Sequence, residues 1–223
     1  MFEEIGKLID KKEAPGNLDK AVEMLMKLKG EHPSNDIIRG KLAHAHFYLG
    51  YLSPEGSRER EQYFDRGVQF GQQAITLNPR AIYGNYWYAA TLGMLGMCRG
   101  IMASLRSIEP MRKSLTVVLE ENDKFYFGGP HRTIGRLYHQ APGWPISIGK
   151  KGKAMDHLER AYQIAPEFIH NRLFLSELLI DVGKKKQARE HLDFILDKPV
   201  NPDHAIEDGN YRKQARKLRS KLF

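Results

Sequence analysis

The sequence predicts an all-α fold, a right-handed superhelix of about five antiparallel helix pairs plus a C-terminal capping helix. Three observations carry that expectation. One pattern of small and apolar residues recurs at a fixed spacing, three of its copies reaching a proline where the second helix of a pair would end. The segments between copies carry apolar residues at helical period. After Pro202 the chain reads as a polar helix with one apolar side, made by Ala205, Tyr211, Ala215 and Leu218.

The repeat is clearest in "GKKKQAREHLDFILDKPV", where Ala188, Leu192, Ile195 and Val200 stand at i, i+4, i+7 and i+12. Ala154, Leu158, Ala161 and Pro166 repeat the spacing, as do Ala21, Leu25, Leu28 and Pro33. This is the second-helix half of a tetratricopeptide (TPR) frame: the small residue lets two helices approach, the next two face a neighbouring helix, and the proline ends the element. A further copy, Gly67, Gly71, Ala74 and Pro79, is built from small residues and predicts especially close packing at some cost in helix propensity. First-helix halves carry Leu42, Ala43 and Phe47, then Ile134, Gly135 and Tyr138, then Leu175, Ser176 and Leu179. The expected organisation is one TPR-like domain over 1–223, with repeats at 1–33, 34–79, 80–122, 129–166 and 168–201 and a cap helix at 203–223. In this frame a long apolar helix occupies 81–105, Pro110 opens a helix over 110–121, and "YLSPEGSRERE" and "APGWPISIGKKG" lengthen the turns within two pairs.

Composition agrees with a folded globular chain: 41% hydrophobic and 28% charged residues exclude disordered and fibrous classes. The single Cys98 excludes an internal disulfide and a multi-cysteine zinc site. A net charge of +8 admits nucleic acid, an anionic membrane surface or an acidic ligand without choosing among them. "MFEEIGKLIDKK" reads as an amphipathic helix rather than a signal peptide, and the uncharged stretch from Ala81 to Cys98 as a buried helix rather than a membrane span. That helix is expected to protrude and build a homo-oligomer contact. The compartment stays open: periplasmic if the chain is a processed form, cytoplasmic otherwise.

No catalytic constellation is found. The chain has no P-loop, dinucleotide fingerprint, G-x-S-x-G elbow or H-E-x-x-H motif. The histidine pairs His44/His46 and His131/His139 are spaced wrongly for shared metal ligation. The expectation is therefore a non-enzymatic protein with no cofactor and no metal. Nucleic acid is disfavoured, because the basic C-terminal helix spreads its charges around the helix without interleaved aromatics.

"FYFGGPHRTIGRLYHQAPGWP" is the least ordinary stretch. Two readings stand open. In one, Gly128 and Gly129 make a helix-to-helix turn and Pro130 begins the next helix. In the other, free backbone N–H groups, His131 and Arg132 converge on a carboxylate or phosphate. Trp144, bracketed by prolines, is expected as a hydrophobic plug over neighbouring helices or a ligand-stacking ring. TPR first helices line a concave face, which here would present Ile37, His44 and Phe47, then Tyr83 and Tyr86, then Arg132, Arg136 and His139, then His170 and Glu177. Arg132 and Arg136, one turn apart, suit a bound carboxylate or, equally, acidic residues of a neighbouring repeat.

From Phe125 through "IDVGKKKQARE" the chain resembles the TPR proteins grouped as the T component of tripartite periplasmic (TRAP) transport, and more loosely the C-terminal repeats of regulators of microtubule dynamics. The resemblance covers about residues 122–196. It implies an oligomeric bacterial helical-repeat protein that docks a periplasmic substrate-binding protein and passes a small organic acid. The chain departs from that pattern in having no lipobox cysteine near its start. The expected function is thus a scaffold for a protein partner, in the TRAP-accessory form or as a cytoplasmic adaptor clamping an acidic peptide tail.

Overall fold

The computed structural model describes residues 1–222, and its described residues form eleven α-helices, one 3₁₀ turn and a single β-bridge between Gly143 and Gly149. The helices gather into two compact units, Met1–Asn122 and a second from Asp123 onward.

The first unit comprises α1 (Phe2–Asp10), α2 (Asn17–Glu31), α3 (Asp36–Leu52), α4 (Arg58–Leu77), α5 (Ile82–Arg99) and α6 (Ile101–Asn122). The repeat positions do what their spacing demands: Ala21, Leu25 and Leu28 of α2 are buried, as are Gly67, Gly71 and Ala74 of α4. Side-chain caps fix two helix starts. Asn35 accepts from the Ile38 amide at 3.2 Å, and Ser57 from the Arg60 amide at 3.1 Å. The small residues of α4 permit contact with α5 at backbone range. A Cβ at Gly71 would lie 2.7 Å from the Tyr88 Cβ and 2.8 Å from its Cα, so the clash falls on atoms that cannot swing away. Gly71→Ala is accordingly expected to lower stability by about 1–3 kcal/mol, despite a gain of about 1 kcal/mol in helix propensity. A urea midpoint equal to or above that of the parent chain would contradict this packing.

Three sequence expectations need correction here. The long apolar helix stops at Arg99, because Gly100 takes φ +92°, a conformation that L side chains rarely adopt; α6 starts one residue later. Pro110 does not open a helix but sits inside α6, on its exposed side. The second-repeat turn is only 53–57, and the extra residues lengthen α3 and α4 instead. At the α5–α6 corner Met97, Cys98, Ile101 and Met102 are exposed.

The second unit comprises α7 (Phe125–Gln140), α8 (Lys151–Ile164), α9 (Ile169–Asp181), α10 (Lys185–Asp197), a 3₁₀ turn (Pro202–His204) and α11 (Ala205–Arg219). Ala154 and Leu158 of α8 pack with Leu175, Leu178 and Leu179 of α9 and Ala188 of α10. Further along, Ile169 and Leu173 of α9 meet Leu192 and Ile195 of α10 and Tyr211 and Ala215 of α11. The apolar side expected for the last helix is thus buried through Tyr211 and Ala215, while Ala205 is exposed.

The start of α7 is not regular helix. Tyr126, Phe127 and Gly128 take φ of 48°, 61° and 73° with positive ψ, three left-handed residues in succession before the right-handed helix. Such angles cost roughly 1–2 kcal/mol per non-glycine residue, so something must hold them.

Candidate functional site

What holds that left-handed turn is the pair of side chains at the head of the expected binding row. Arg132, 3% exposed, donates from Nη1 to the Asn171 Oδ1 at 3.0 Å and points the same nitrogen at the Tyr126 and Phe127 carbonyls, at 3.5 and 3.4 Å. Asn171 donates from Nδ2 to the carbonyls of Phe127 at 3.0 Å, Ala161 at 2.8 Å and Ala165 at 3.3 Å. The Phe127 ring stacks on Phe168 with centroids 4.8 Å apart. A buried arginine and a buried amide therefore bond to carbonyls of the reversed backbone, and the amide ties that turn to the end of α8.

The row continues along α7 and α9. Arg136 pairs with Glu177 while its guanidinium lies 4.2 Å from the Phe174 ring centroid. One turn on, His139 Nε2 is 2.8 Å from the Asp181 carboxylate. Arg132, Arg136 and His139 do share one face, and each meets a side chain of α9. A carboxylate ligand would have to displace Glu177 from Arg136 and Asn171 from Arg132.

His170 stays beside the row, its ring 4.3 Å from the Phe174 ring that Arg136 also covers, whereas His131 lies elsewhere. The His170 Nδ1 is 2.9 Å from the Tyr211 hydroxyl, which donates onward to Glu207 at 3.0 Å, so His170 carries its proton on Nδ1. Burial, then the charges of Arg132 and Arg136, hold this imidazole well below its usual range. His131 faces α8, its Nδ1 2.9 Å from the Nδ1 of His157 and its Nε2 3.8 Å from Asp123. Burial and the neighbouring His157 lower its pKa to about 4. It joins a different cluster from Arg132. Trp144, expected as a plug, is 90% exposed; its loop holds the ring out from the helices.

In the first unit, Tyr86 and Tyr83 border an aromatic cluster that the sequence reading found only in part. Trp87, 1% exposed, stacks on His44 with centroids 3.6 Å apart and planes 13° apart. Tyr86 meets Trp87 edge-on at 5.0 Å, and Phe47 and Tyr48 close the ring at 5.2 and 5.9 Å. Two cations lie on this cluster: the Lys12 ammonium is 4.4 Å from the Tyr48 ring centroid, and that of Lys41 is 4.8 Å from Tyr83. The signal was helical register, of Tyr48 with His44 on α3 and of Trp87 with Tyr83 on α5; for Lys12 there was none, since lysine seldom goes inside.

His44 carries a pH prediction. Burial, reinforced by Lys41 and Lys12, holds its pKa well below the ordinary 6.5. Below about pH 6.5 the unfolded chain takes up a proton that the folded chain refuses, so stability falls with falling pH, by up to about 1.4 kcal/mol per unit for this one group. Urea midpoints should drop between pH 7 and pH 5, and His44→Phe should flatten part of that slope. An unchanged slope in the variant would remove His44 from the account.

A family model described as regulator of microtubule dynamics protein 1-3 matches residues 1–127. Regulator of microtubule dynamics protein 1 from Pongo abelii is 24% identical over 219 residues, which is 91% of this chain and 67% of that protein. Among solved structures, a thermophilic TPR protein of Thermus thermophilus aligns over 97% of this chain and 95% of its own, at 17% identity and a TM-score of 0.64. PilF of Pseudomonas aeruginosa aligns over 99% and 89%, at 15% identity and a TM-score of 0.61. At such identities the structural likeness speaks for the fold, which is of TPR type.

Proposed function

The chain belongs to the regulator of microtubule dynamics protein 1-3 family, and from that premise we propose that it is a non-enzymatic TPR scaffold whose protein partner is a component of the microtubule system. The observation that carries this reading is the serial packing of helix pairs in each unit, with repeat positions Ala21/Leu25/Leu28 and Ala188/Leu192/Ile195 spent on helix contact. The conspicuous cations of the α7–α9 row, Arg132 and Arg136, are engaged with Asn171 and Glu177, an arrangement suited to a framework. A net charge of +8 favours an acidic partner surface.

Co-sedimentation with stabilised microtubules tests the partner: the chain should enter the pellet at low salt and leave it as ionic strength rises. Absence from the pellet at every salt concentration would remove the microtubule partner. The finer reading of a TRAP-transport accessory rests on the resemblance of residues 122–196, and a substrate-binding protein recovered by crosslinking would be its support. An adaptor for an acidic peptide tail shares the charge argument and would show as salt-sensitive binding of an isolated acidic peptide.

A further inference from the structure

The loop 141–150 between α7 and α8 is ordered by its own backbone. The Gly149 amide donates to the Pro142 carbonyl at 2.9 Å, the Lys150 amide to the Tyr138 carbonyl at 2.9 Å, and the Ile146 amide to the Gly143 carbonyl at 3.1 Å. What this bracing displays is apolar: Trp144 and Ile146 stand out into solvent at the tip. A fixed loop that spends its hydrogen bonds on presenting an indole to water has no folding reason to do so.

Behind the tip lie cations. Lys150, Lys151 and Lys153 follow where α8 begins, and all three are exposed. The Lys151 ammonium donates to the Asp181 carbonyl at 3.0 Å, which ties this turn to the end of α9 and so to the next turn, where Val182, Lys184, Lys185 and Lys186 are also exposed. None of the six lysines pairs with a carboxylate among the described residues, and the nearby Asp181 carboxylate is taken by His139. Besides Lys151, Lys153 has a local contact, over the Tyr138 ring at 5.3 Å to its centroid, but helix electrostatics do not ask for lysine here. Neither α8 nor α10 has an acid in its first turn, the place where the helix dipole favours acids and opposes lysine.

We propose that this end of the second unit docks on the surface of an anionic phospholipid membrane, with Trp144 and Ile146 entering the boundary between headgroups and acyl chains and the six lysines resting among the headgroups. The arrangement argues for a bilayer: apolar side chains at the loop tip can pass the outer, anionic headgroup layer and reach the apolar zone beneath it, while the lysines at the loop base and on the linked turn meet the headgroups. Long lysine stems reach back to the headgroup level, and the braced loop has little ordering entropy left to lose. No helix among the described residues is long and apolar enough to cross a membrane. The contact is independent of the microtubule reading.

The test is co-sedimentation of the full chain with vesicles of phosphatidylcholine alone and of phosphatidylcholine with about 30% phosphatidylserine. The chain should pellet with the second and not the first, with the emission of Trp144 moving to shorter wavelength; Trp87 is already buried and adds no shift. Trp144→Ser with Ile146→Ser should weaken partition at least about tenfold while leaving the helical spectrum unchanged, because both side chains are exposed. Each of Lys184→Ala and Lys185→Ala should cost on the order of fivefold. Failure to pellet with phosphatidylserine vesicles, or full binding by the Trp144/Ile146 variant, overturns the proposal. Equal binding to polyglutamate with the same dependence on Trp144 also overturns it, by assigning the surface to an acidic protein.

Discussion

Replacing Asn171 by leucine is expected to destabilise the second unit by about 3–5 kcal/mol, although the two side chains are close in size. Asn171 has no exposed surface, and its amide serves three carbonyls and one arginine. Leucine fills the space but leaves the Phe127, Ala161 and Ala165 carbonyls without that donor and takes the nearest acceptor from a buried guanidinium. The amide nitrogen has two hydrogens to share among those carbonyls, so about two lost bonds at about 1 kcal/mol each and the one to the charged group at about 1.5–3 account for that range. Adding Arg132→Met should return part of the loss, since a buried charge with a missing partner is costlier than no charge. Denaturant titration of the two single variants and the double variant gives the coupling directly. A single-variant cost below about 1 kcal/mol would mean that the left-handed turn is held by something else.

Trp87→Ala should cost the first unit a similar amount, about 3–5 kcal/mol. The indole is almost wholly enclosed, stacked on His44 and touched by Tyr86, Phe47 and Tyr48, so its removal leaves a cavity between α3 and α5 whose walls are aromatic rings that cannot collapse inward without leaving their own contacts. Trp87→Phe keeps most of the volume and should cost less than half as much. Circular dichroism is the proper readout, because the remaining indole, Trp144, is in water before and after unfolding. Equal losses for alanine and phenylalanine would point away from packing and toward the stack on His44.

The helix pairs were legible in the sequence wherever a position had one physical job. Ala154 and Leu158 had to face neighbouring helices, only small or apolar residues can do that, and both are buried. Gly67 and Gly71 announced a close approach for the same reason. Legibility failed where two signals competed. Apolar residues resumed directly after Arg99 and Gly100 and hid a helix stop that a basic last turn followed by glycine marks plainly. Pro110 looked like a beginning because prolines begin helices more often than they interrupt them. The reversed backbone at Tyr126 and Phe127 could not be read at all, since aromatic residues have no preference for those angles and Asn171, which secures them, is far away in sequence. For the proposed binding row, the sequence placed Arg132, Arg136 and His139 on one face but could not say what they meet, because pairing across helices is fixed by register in three dimensions.

The corner between α5 and α6 has a practical consequence. Its thiol, Cys98, is the chain's single cysteine and is exposed, so a maleimide dye or nitroxide can be attached at one defined place without mutating anything. Beside Met97, Ile101 and Met102, such a reporter would sense the approach of any body that covers this corner, through a change in its polarity or rotational freedom.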